Sequence, residues 1–318
     1  MVNVAIPIFR ARPTLPYCLN SLVAQTKNMF LVTLVQDGDN EDYSDIIEEY
    51  TRRGLKINLI KLDENKGPGN ARQVAIDRSK MCDYIMFMDS DDMLMPRAVE
   101  ILYREAKANN ADIVSSHILR EQTGAPGFVM DVNVTPVTWF HGKIYRIEYF
   151  KEKNIRFAPD IRLNEDSYFN LVACNCTERH FKVQEVTYLW RDYEGSLTRA
   201  VSHHDFFAKS WVQYIYSQVH GILDIIERMG TVQPGLLAAT LINMYNHDME
   251  ALFYELDTEE DRELESLFHG NEIIKSAMQT KEFWDYIFMQ LRPTMMVDDA
   301  LIFHKIRFTD WLQDRIEG

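Results

Sequence analysis

The sequence lacks any apolar run of about 18 residues, the length that a helix needs to cross a bilayer, so we expect no integral membrane segment. Its first residues, MVNVAIPIFRARP, contain no basic region followed by a long apolar stretch, which predicts that no secretory signal is present. The 4 cysteines form neither paired CxxC units nor a disulfide framework. They are Cys18, Cys82, Cys174 and Cys176. We therefore expect reduced, mostly buried thiols in a cytoplasmic protein.

Positive charge is scarce in the last third of the chain. Residues 1–200 hold 25 Lys and Arg against 28 Asp and Glu, a net charge of −3. Residues 201–318 hold 9 against 20, a net charge of −11, and the whole chain therefore carries −14. Acidic surfaces disfavour broad binding to nucleic acid or to anionic lipid, so we expect neither as a general partner.

Apolar strands alternate with amphipathic helices through the first part of the chain. The pattern predicts strands over 2–8, 31–35, 56–62 and 84–88, and helices over 16–25, 44–53 and 96–108 and after Gly67. Such alternation is typical of βαβ units and of an α/β fold with a mostly parallel sheet. Ligands bind at the carboxyl ends of parallel strands. We therefore expect Asp37, Asp39 and the cluster Asp89–Asp92, each at a strand end, to share one crevice.

A different pattern begins near residue 200. Apolar residues recur at three- and four-residue spacing in the stretches 205–229, 235–256, 259–280 and 282–292. Gly230, Pro234 and Gly270 interrupt them. We predict a first domain over 1–200 and a mostly helical second domain over 201–318. Aromatic residues at helical spacing in the second domain predict core packing rather than an exposed ligand platform.

Three carboxylates in four residues, those of Asp89, Asp91 and Asp92, follow the apolar run Tyr84–Met88. Like charges this close repel one another, so a pocketed cluster of this kind needs a cation. Mg²⁺ and Mn²⁺ prefer oxygen ligands and commonly use one or two protein carboxylates. The alternative is that Asp91 or Asp92 caps the next helix, because Asp is a favoured N-cap residue. Both can hold, with Asp92 capping and the other two facing a ligand.

Three further motifs lie at the ends of predicted elements, and each has a structural alternative. The acidic turn Val35–Asp39 could accept hydrogen bonds from a base or a ribose, or it could be an ordinary Asp-Gly turn. Gly67–Arg72 opens a helix whose N-terminus favours phosphate, or it is a loop that needs the positive φ of glycine. Asn164–Ser167 places carboxylates in the first turn of a helix, or it forms a capping box.

Six sequence blocks follow one another between residues 2 and 199. They read VAIPIFRARPTLPYCLNSLVAQT, VQDGDN, NKGPGNARQVA, FMDSDD, GKIYRIEYFKEKNIRFAPDIRLNEDSYF and YLWRDYEGSLT. In order and spacing they resemble the family 2 glycosyltransferases of the GT-A fold. The corresponding family blocks are an apolar strand ending in Pro with a short loop, then DDGS, NxGxxxARNxG, FLDxDD, GKLYRRE…IRF…EDxxF and YYRxxxGSxT. Six blocks in order are far more specific than any one of them, and residues 200–318 add nothing to the resemblance.

The resemblance implies an inverting glycosyltransferase that moves a sugar from a nucleotide-sugar donor, UDP-linked by default, to an acceptor hydroxyl of a glycan or cell-surface polymer. It implies that Asp166 is the general base and that Glu165 supports acceptor binding. It also implies that Asp89 and Asp91 hold Mn²⁺ or Mg²⁺, which would stabilise the diphosphate leaving group. The donor-binding positions that it implies are Pro7, Phe9, Asp37, Asp39, Gly67, Arg72, Asp89, Ser90, Arg191, Ser196 and Thr198.

The sequence departs from the family pattern at several positions. In the family a polar residue, frequently His, stands two residues after the Arg of the closing loop, and here that residue is Tyr193. If this His is the usual third metal ligand, then His203, His204, or phosphate and water alone must replace it. The two histidines could equally be surface residues at a helix start. Gln36, Gln73 and Ala75 also replace the Asp, Asn and Gly of the family blocks.

Other functions compete with this interpretation. A nucleotidyltransferase also uses Asp pairs and a metal, but the GSLT block and the Glu165–Asp166 pair argue against it. A catalytically inactive glycan- or nucleotide-binding module is disfavoured by the intact set of acidic residues. Transfer to a modified nucleic-acid base is a third alternative, which needs one basic face. The residues that would form this face are Arg10, Arg12, Lys143 and Arg146. The second domain is expected to bind the acceptor or to drive homo-oligomerisation.

Overall fold

The computed structural model describes residues 1–27, 29–121, 128–134, 138–191, 193, 202–291 and 307–317, with the backbone alone for 128–134 and His203. The chain divides into two compact units, Met1–Ala200 and Val201–Gly318. The described part of the first unit is a sheet flanked by helices, and that of the second unit is helical.

Four parallel strands form one half of the sheet in the first unit. They are β1 (Val2–Ile8), β2 (Phe30–Asp37), β3 (Ile57–Leu62) and β4 (Tyr84–Phe87), in the spatial order β3-β2-β1-β4. β1 and β4 are buried along almost their whole length, which explains why their sequences are continuous apolar runs. The register places Ile8 beside Gln36, so Asp37 follows at the carboxyl end of the sheet.

Five more described strands extend the sheet beyond β4. They are β5 (Met93–Leu94), β6 (Ile113–Glu121), β7 (Phe128–Val134), β8 (Lys143–Arg146) and β9 (His180–Trp190). The order continues β4-β8-β6-β9-β5, with β7 paired to β6. β8 is antiparallel to both β4 and β6, whereas β9 is parallel to β6. The predicted α/β class is confirmed, and the sheet has a mixed half that the strand pattern alone did not predict.

Six described helices accompany this sheet. They are α1 (Leu15–Val23), α2 (Ser44–Arg52), α3 (Pro68–Arg78), α4 (Ala98–Ala108), α5 (Ile147–Glu152) and α6 (Glu165–Asn175). The predicted helices over 16–25, 44–53 and 96–108 agree with α1, α2 and α4 within two residues at each end. Leu15, Leu19 and Leu22 of α1 share one buried core with Val4 and Ile6 of β1. Each such leucine contributes about 1.5–3 kcal/mol to folding.

The second unit contains α7 (His203–Met229), α8 (Pro234–Phe253), α9 (Glu259–Glu265), α10 (Glu272–Met278), α11 (Lys281–Gln290) and a C-terminal helix over 307–317. The predicted stretch 259–280 is two helices, because Gly270 has a φ of 72° and the Asn271 side chain caps α10. Trp211, Tyr245 and Trp311 are buried, as the core-packing prediction requires, whereas Phe253 is exposed.

No helix among the described residues combines the length and the apolar character that crossing a bilayer requires. All four cysteines are buried and none of them forms a disulfide, in agreement with the expectation of reduced thiols. Burial raises the pKa of the Cys18 thiol well above its ordinary value, which keeps this thiol protonated and unreactive.

Candidate functional site

The carboxyl end of β2 holds the loop that precedes α3. The buried Asp37 carboxylate accepts hydrogen bonds from the backbone N–H groups of Lys66 (3.0 Å) and Gly67 (2.8 Å). Gly38 has a φ of 69°, and a Cβ there would lie 2.2 Å from the backbone of Asn65, so only glycine fits. Burial raises the pKa of Asp37, and the two backbone donors oppose this rise. The Asp-Gly pair therefore fixes both the strand end and the start of α3.

Asp39 connects the ends of β1 and β2. Its carboxylate accepts hydrogen bonds from the backbone N–H of Arg10 (2.6 Å), the Tyr43 hydroxyl (3.0 Å) and the Gln36 side-chain amide (2.5 Å). Burial alone would raise the pKa of Asp39, but these hydrogen bonds lower it below its ordinary value. The loop after β1 is thereby fixed, and Phe9, the first residue beyond β1, is 43% exposed.

Arg72, early in α3, is buried between two carboxylates. Its Nη2 donates to Asp89 Oδ1 (2.6 Å), and its Nη1 donates to Glu165 Oε1 (2.5 Å). Its guanidinium carbon also lies 4.2 Å from the centre of the Phe140 ring. Burial alone would lower the pKa of Arg72, but the two carboxylates raise it, so the arginine stays charged. This side chain therefore links the loop after β4 to the start of α6 by charge-assisted hydrogen bonds.

Helix α6 begins with Glu165 and Asp166. Asn164, at the N-cap position, has a φ of 61° and makes no capping hydrogen bond through its side chain, so the capping box is not formed. Glu165 approaches α3 where Gly69 leaves room, since a Cβ on Gly69 would lie 2.8 Å from Glu165 Cγ. Asp166 is half-buried, and its Oδ1 accepts a hydrogen bond from the backbone N–H of Ser167 (2.9 Å).

Two adjacent carboxyl groups in one helical turn disfavour each other's ionisation. Burial raises the pKa of Asp166 to about 7, with the charge of Glu165 adding to the rise and the charge of Arg72 opposing it. Burial also raises the pKa of Glu165, against the effect of Arg72. A carboxylate with a pKa near 7 is suited to take a proton in the transition state of a reaction at neutral pH.

Asp89, Asp92 and His141 each bring one potential ligand atom to a common point, all within 4.8 Å of one another. His141 Nε2 lies 4.0 Å from Asp89 Oδ2 and 3.8 Å from Asp92 Oδ2, and its Nδ1 has no hydrogen-bond partner. Burial lowers the pKa of His141 to about 4, so the imidazole is neutral, the form that binds metals. Burial and the charges of Asp89 and Asp91 raise the pKa of Asp92 well above its ordinary value. Carboxylate oxygens beside a neutral histidine fit a divalent cation.

The prediction that Asp92 caps the following helix is wrong. That helix, α4, begins at Ala98 and has Arg97 at its N-cap position. Asp92 Oδ2 instead accepts a hydrogen bond from the Tyr188 hydroxyl (2.6 Å), and its Oδ1 accepts one from the backbone N–H of Arg191 (2.8 Å). Because both oxygens already have donors, Asp92 tethers the acidic loop to β9 and to the residue that follows it.

Arg191 lies close to this acidic loop. Its Nη1 donates to the backbone carbonyl of Asp91 (3.3 Å), and its guanidinium lies 4.9 Å from the centre of the Tyr17 ring. Asp91 and Ser90 are half-buried in the loop. The structure therefore brings the predicted positions 90, 91 and 191 together with Asp89.

The other predicted donor positions lie at the ends of strands or helices, or outside the described residues. Pro7 is half-buried near the end of β1, and Gly67 is buried at the N-cap position of α3 with a φ of 89°. Ser196 and Thr198 lie outside the described residues.

The histidine beside the acidic loop is His141, and the sequence reasoning missed it. The candidates were His203, whose side chain lies outside the description, and His204, which is 52% exposed and 3.6 Å from Asp205 in the second unit. Tyr193 is half-buried. A signal for His141 was available, because this residue directly precedes the GKIYR block.

The four residues named for a basic face do not form one. Lys143 is 1% exposed, because β8 lies inside the sheet, and its Nζ donates to the Trp139 carbonyl. Arg12 and Arg146 are paired with carboxylates, and the Arg10 guanidinium lies 5.0 Å from the Phe9 ring. The described residues therefore give no support to a nucleic-acid acceptor.

The chain matches the model of glycosyl transferase family 2 over residues 3–163, just over half of its length. It is 29% identical over 218 residues to the uncharacterized glycosyltransferase EpsJ of Bacillus subtilis, covering 62% of this chain and 63% of that protein. It is 26% identical over 223 residues to the poly(ribitol-phosphate) beta-N-acetylglucosaminyltransferase TarS of Staphylococcus aureus, covering 64% of this chain and 38% of TarS. The chain thus spans less than two thirds of the length of these relatives.

Solved structures show the same fold. The crystal structure of an S. aureus TarS fragment in complex with UDP-GlcNAc has a TM-score of 0.68 at 19% identity, covering 97% of this chain and 88% of that one. The mannosyltransferase PcManGT from Pyrobaculum calidifontis, in complex with GDP-Man and Mn²⁺, has a TM-score of 0.53 at 13% identity, covering 97% and 86%. The chain therefore has the GT-A fold and belongs to glycosyl transferase family 2, as the order of its sequence blocks predicted.

Proposed function

We propose that this protein is an inverting glycosyltransferase, which moves a sugar from a nucleotide donor to a hydroxyl group of a glycan or cell-surface polymer. The observation that carries the proposal is the environment of Asp166. This half-buried carboxyl group begins α6 and has a pKa of about 7, and Arg72 connects its neighbour Glu165 to Asp89. Family membership supports the reaction class, and the geometry supports the individual roles.

We place the donor at the edge where β1, β2 and β4 end. Asp37 and Asp39 fix the loops that border this edge, and their remaining lone pairs could accept hydrogen bonds from a nucleoside. The exposed Phe9 offers an aromatic surface to the base. The N-terminus of α3 at Gly67 favours phosphate. Further donor contacts are assigned to Pro7, Ser90, Arg191, Ser196 and Thr198. UDP is the nucleotide that we propose, because the TarS complex contains UDP-GlcNAc.

We place Mn²⁺ or Mg²⁺ at the acidic loop, with Asp89 and Asp91 as carboxylate ligands and His141 beside them. The neutral imidazole and the neighbouring carboxylates fit this ion, and the PcManGT complex contains Mn²⁺. Such an ion supplies stabilisation of the charge on the diphosphate leaving group. Asp92 is assigned to holding the loop, because both of its oxygens already accept hydrogen bonds.

Asp166 is assigned as the general base. A sugar hydroxyl has a pKa far above 7, so the carboxylate takes its proton only as the new bond to the anomeric carbon forms. The oxygen attacks from the side opposite the diphosphate, and this single displacement inverts the configuration at that carbon. Holding the two substrates in line contributes much of the rate.

The class of acceptor is proposed from the names of relatives, and the second unit is given one of two roles. TarS is named for poly(ribitol-phosphate), which favours a cell-surface polymer as the acceptor. The domain over 1–200 would carry catalysis, and the domain over 201–318 would bind the acceptor or form homo-oligomers. The buried thiols, which form no disulfide, favour a cytoplasmic location.

A panel of UDP-, GDP- and CDP-linked sugars, each with Mn²⁺ or with EDTA, tests this function. We expect one donor to raise the melting temperature and to be hydrolysed slowly in the presence of Mn²⁺, and EDTA to remove both effects. Absence of any response to every donor, with Mn²⁺ and with EDTA, would contradict the proposal.

A further inference from the structure

Arg72 is placed to act through other residues rather than by touching the donor. Its side chain is 3% exposed, and each of its terminal nitrogens already donates to a carboxylate. The Phe140 ring covers the guanidinium at 4.2 Å. Because this guanidinium is buried and both of its terminal nitrogens are held by carboxylates, it is poorly placed to contact a nucleotide phosphate.

Glu165 is held in a similar way. Its side chain is 10% exposed, and its Oε1 accepts the hydrogen bond from Arg72. Gly69 of α3 admits this close approach, because any Cβ there would collide with the Glu165 side chain. These contacts leave little of the Glu165 carboxylate for an acceptor, which is the role that the sequence resemblance implies.

The charges of Arg72 and Glu165 act on the ionisation of Asp166. On its own helix it is next to Glu165, α3 contributes the positive charge of Arg72, and the loop after β4 contributes the negative charge of Asp89. Strand β8 contributes Lys143 and Tyr145, each of which interacts with the Asp166 charge. The backbone N–H of Ser167 also donates to Asp166.

We propose that Arg72 and Glu165 are positioning residues, which tie the donor-side carboxylate of Asp89 to helix α6 and set the charge state of Asp166. The inference rests on the proposed function, in which Asp166 is the base. The two residues act in opposite directions. Glu165 makes it harder for Asp166 to ionise, whereas Arg72 makes it easier. Burial is the main cause of the Asp166 pKa of about 7, and the two opposed charges adjust that value.

The test is a direct titration of Asp166 in the full-length protein. The carboxyl carbons of aspartate are labelled with ¹³C, and their chemical shifts are followed by NMR against pH in EDTA, so that no bound cation contributes. The Asp166 signal is the one that Asp166→Asn removes. The measurement needs neither donor nor acceptor, so it does not depend on which sugar the enzyme uses.

We expect opposite shifts from the two neutral variants. Glu165→Gln moves the Asp166 midpoint down by about one pH unit, and Arg72→Gln moves it up by a similar amount, the size that one nearby charge produces. Arg72→Lys keeps the positive charge and leaves the midpoint close to that of the wild type. Glu148→Gln and Arg104→Gln, which change exposed residues of the same unit, are the matched controls and leave the midpoint in place.

The outcomes separate this inference from the proposed function. Unchanged midpoints in both Glu165→Gln and Arg72→Gln would overturn the inference while leaving the assignment of the base intact. If Arg72→Gln does not fold, Glu165→Gln is compared with Arg72→Lys instead. The inference then requires the Asp166 midpoint to fall in Glu165→Gln and to stay in place in Arg72→Lys. Full donor hydrolysis by Asp166→Asn would instead overturn the proposed function.

Discussion

Each unit buries a group of carboxylates around a single arginine. In the first unit Arg72 lies between the carboxylates of the candidate site, and Asp89 of that group is 34% exposed. In the second unit Arg315 donates to Glu265 (3.0 Å) and lies 3.4 Å from Asp248, and both carboxylates are 0% exposed. The first group is open to a ligand, whereas the second is enclosed by helices α8 and α9 and the C-terminal helix.

Asp261 completes the enclosed group. It is 0% exposed, and its carboxyl group shares a hydrogen bond with the carboxyl group of Asp248, the contact that a protonated carboxyl group makes with a carboxylate. Burial raises its pKa to about 9, with the charges of Asp248 and Glu265 adding to the rise and that of Arg315 opposing it. Burial and Asp248 raise the pKa of Glu265 to about 8, again against Arg315. One arginine cannot neutralise three carboxylates, so at neutral pH this group retains protons.

A raised pKa does not by itself identify a functional site. Both groups have raised carboxyl pKa values for the same reason, burial beside like charges. The first group differs because it lies at the carboxyl ends of parallel strands, where ligands bind, and because part of it is exposed. Paired substitutions in the two groups should therefore have different effects.

The largest difference is expected in activity. Asp166→Asn should slow Mn²⁺-dependent donor hydrolysis by about 10²–10⁴-fold, because asparagine cannot take a proton. Asp261→Asn should leave this rate unchanged, and both variants should remain folded by circular dichroism. UDP release from the donor found in the panel measures the rates. Equal loss of activity in the two variants would remove the distinction between the groups.

The next effect concerns the metal. His141→Gln should weaken Mn²⁺ binding by about 10–100-fold, as changes beside or among metal ligands do. Isothermal titration with Mn²⁺ and UDP measures this affinity. His204→Gln, which changes an exposed histidine of the second unit, is the control and should bind Mn²⁺ like the wild type. If His204→Gln binds Mn²⁺ more weakly than the wild type and His141→Gln does not, then His204 and not His141 is the metal ligand.

A smaller effect is expected on the pH dependence of stability. Folded Asp261 keeps its proton up to a pH of about 9, whereas in the unfolded chain it loses the proton near pH 4. Its stabilising contribution is therefore complete below about pH 4 and is lost progressively as the pH rises towards about 9. Asp261→Asn stays neutral throughout, so it should gain stability over the wild type by about 1.4 kcal/mol for each pH unit between about pH 4 and pH 9.

Urea denaturation at a series of pH values measures this gain. Asp314→Asn neutralises a carboxylate that is 58% exposed beside the same arginine, and it serves as the control. If Asp261→Asn and the wild type lose stability in parallel as the pH rises, Asp261 is already ionised and the enclosed group is not protonated.

The smallest effect is expected at two matched glycines. Gly69 and Gly235 each follow a proline in the first turn of a helix, α3 and α8. Gly69→Ala should destabilise the protein by about 1 kcal/mol net, because the new Cβ collides with Glu165. Gly235→Ala meets only the flexible end of Glu282 at 3.2 Å and should be neutral or stabilising by up to about 1 kcal/mol. Thermal unfolding of both variants measures the difference, and equal melting temperatures would contradict it.

Local sequence patterns predicted the parallel half of the sheet and the positions that meet at its edge. Apolar runs marked β1 and β4, and the acidic residues after them lie where parallel topology places them. The order of six blocks then predicted the family. Such signals are local, because each depends on residues that are close together in the sequence.

The contacts that define the chemistry of the site are long-range, and the sequence did not predict them. Arg72 meets Glu165 across 93 positions, and Asp92 meets Tyr188 across 96. In the sequence, an Asp that precedes a helix predicts an N-cap. Only the position of β9 in the fold shows that Asp92 bonds to Tyr188 instead. The enclosed group of the second unit was missed for the same reason, since its members come from three helices that are far apart in the sequence, and its acids look like ordinary surface residues.

The configuration of the first sugar that leaves the donor tests the inverting mechanism most directly. The protein is incubated with Mn²⁺ and the α-linked donor found in the panel, with water as the acceptor, and the anomeric proton of the released sugar is followed by ¹H NMR before mutarotation. A single displacement assisted by Asp166 predicts that the β-anomer appears first. First appearance of the α-anomer would contradict an inverting mechanism and, with it, the role assigned to Asp166.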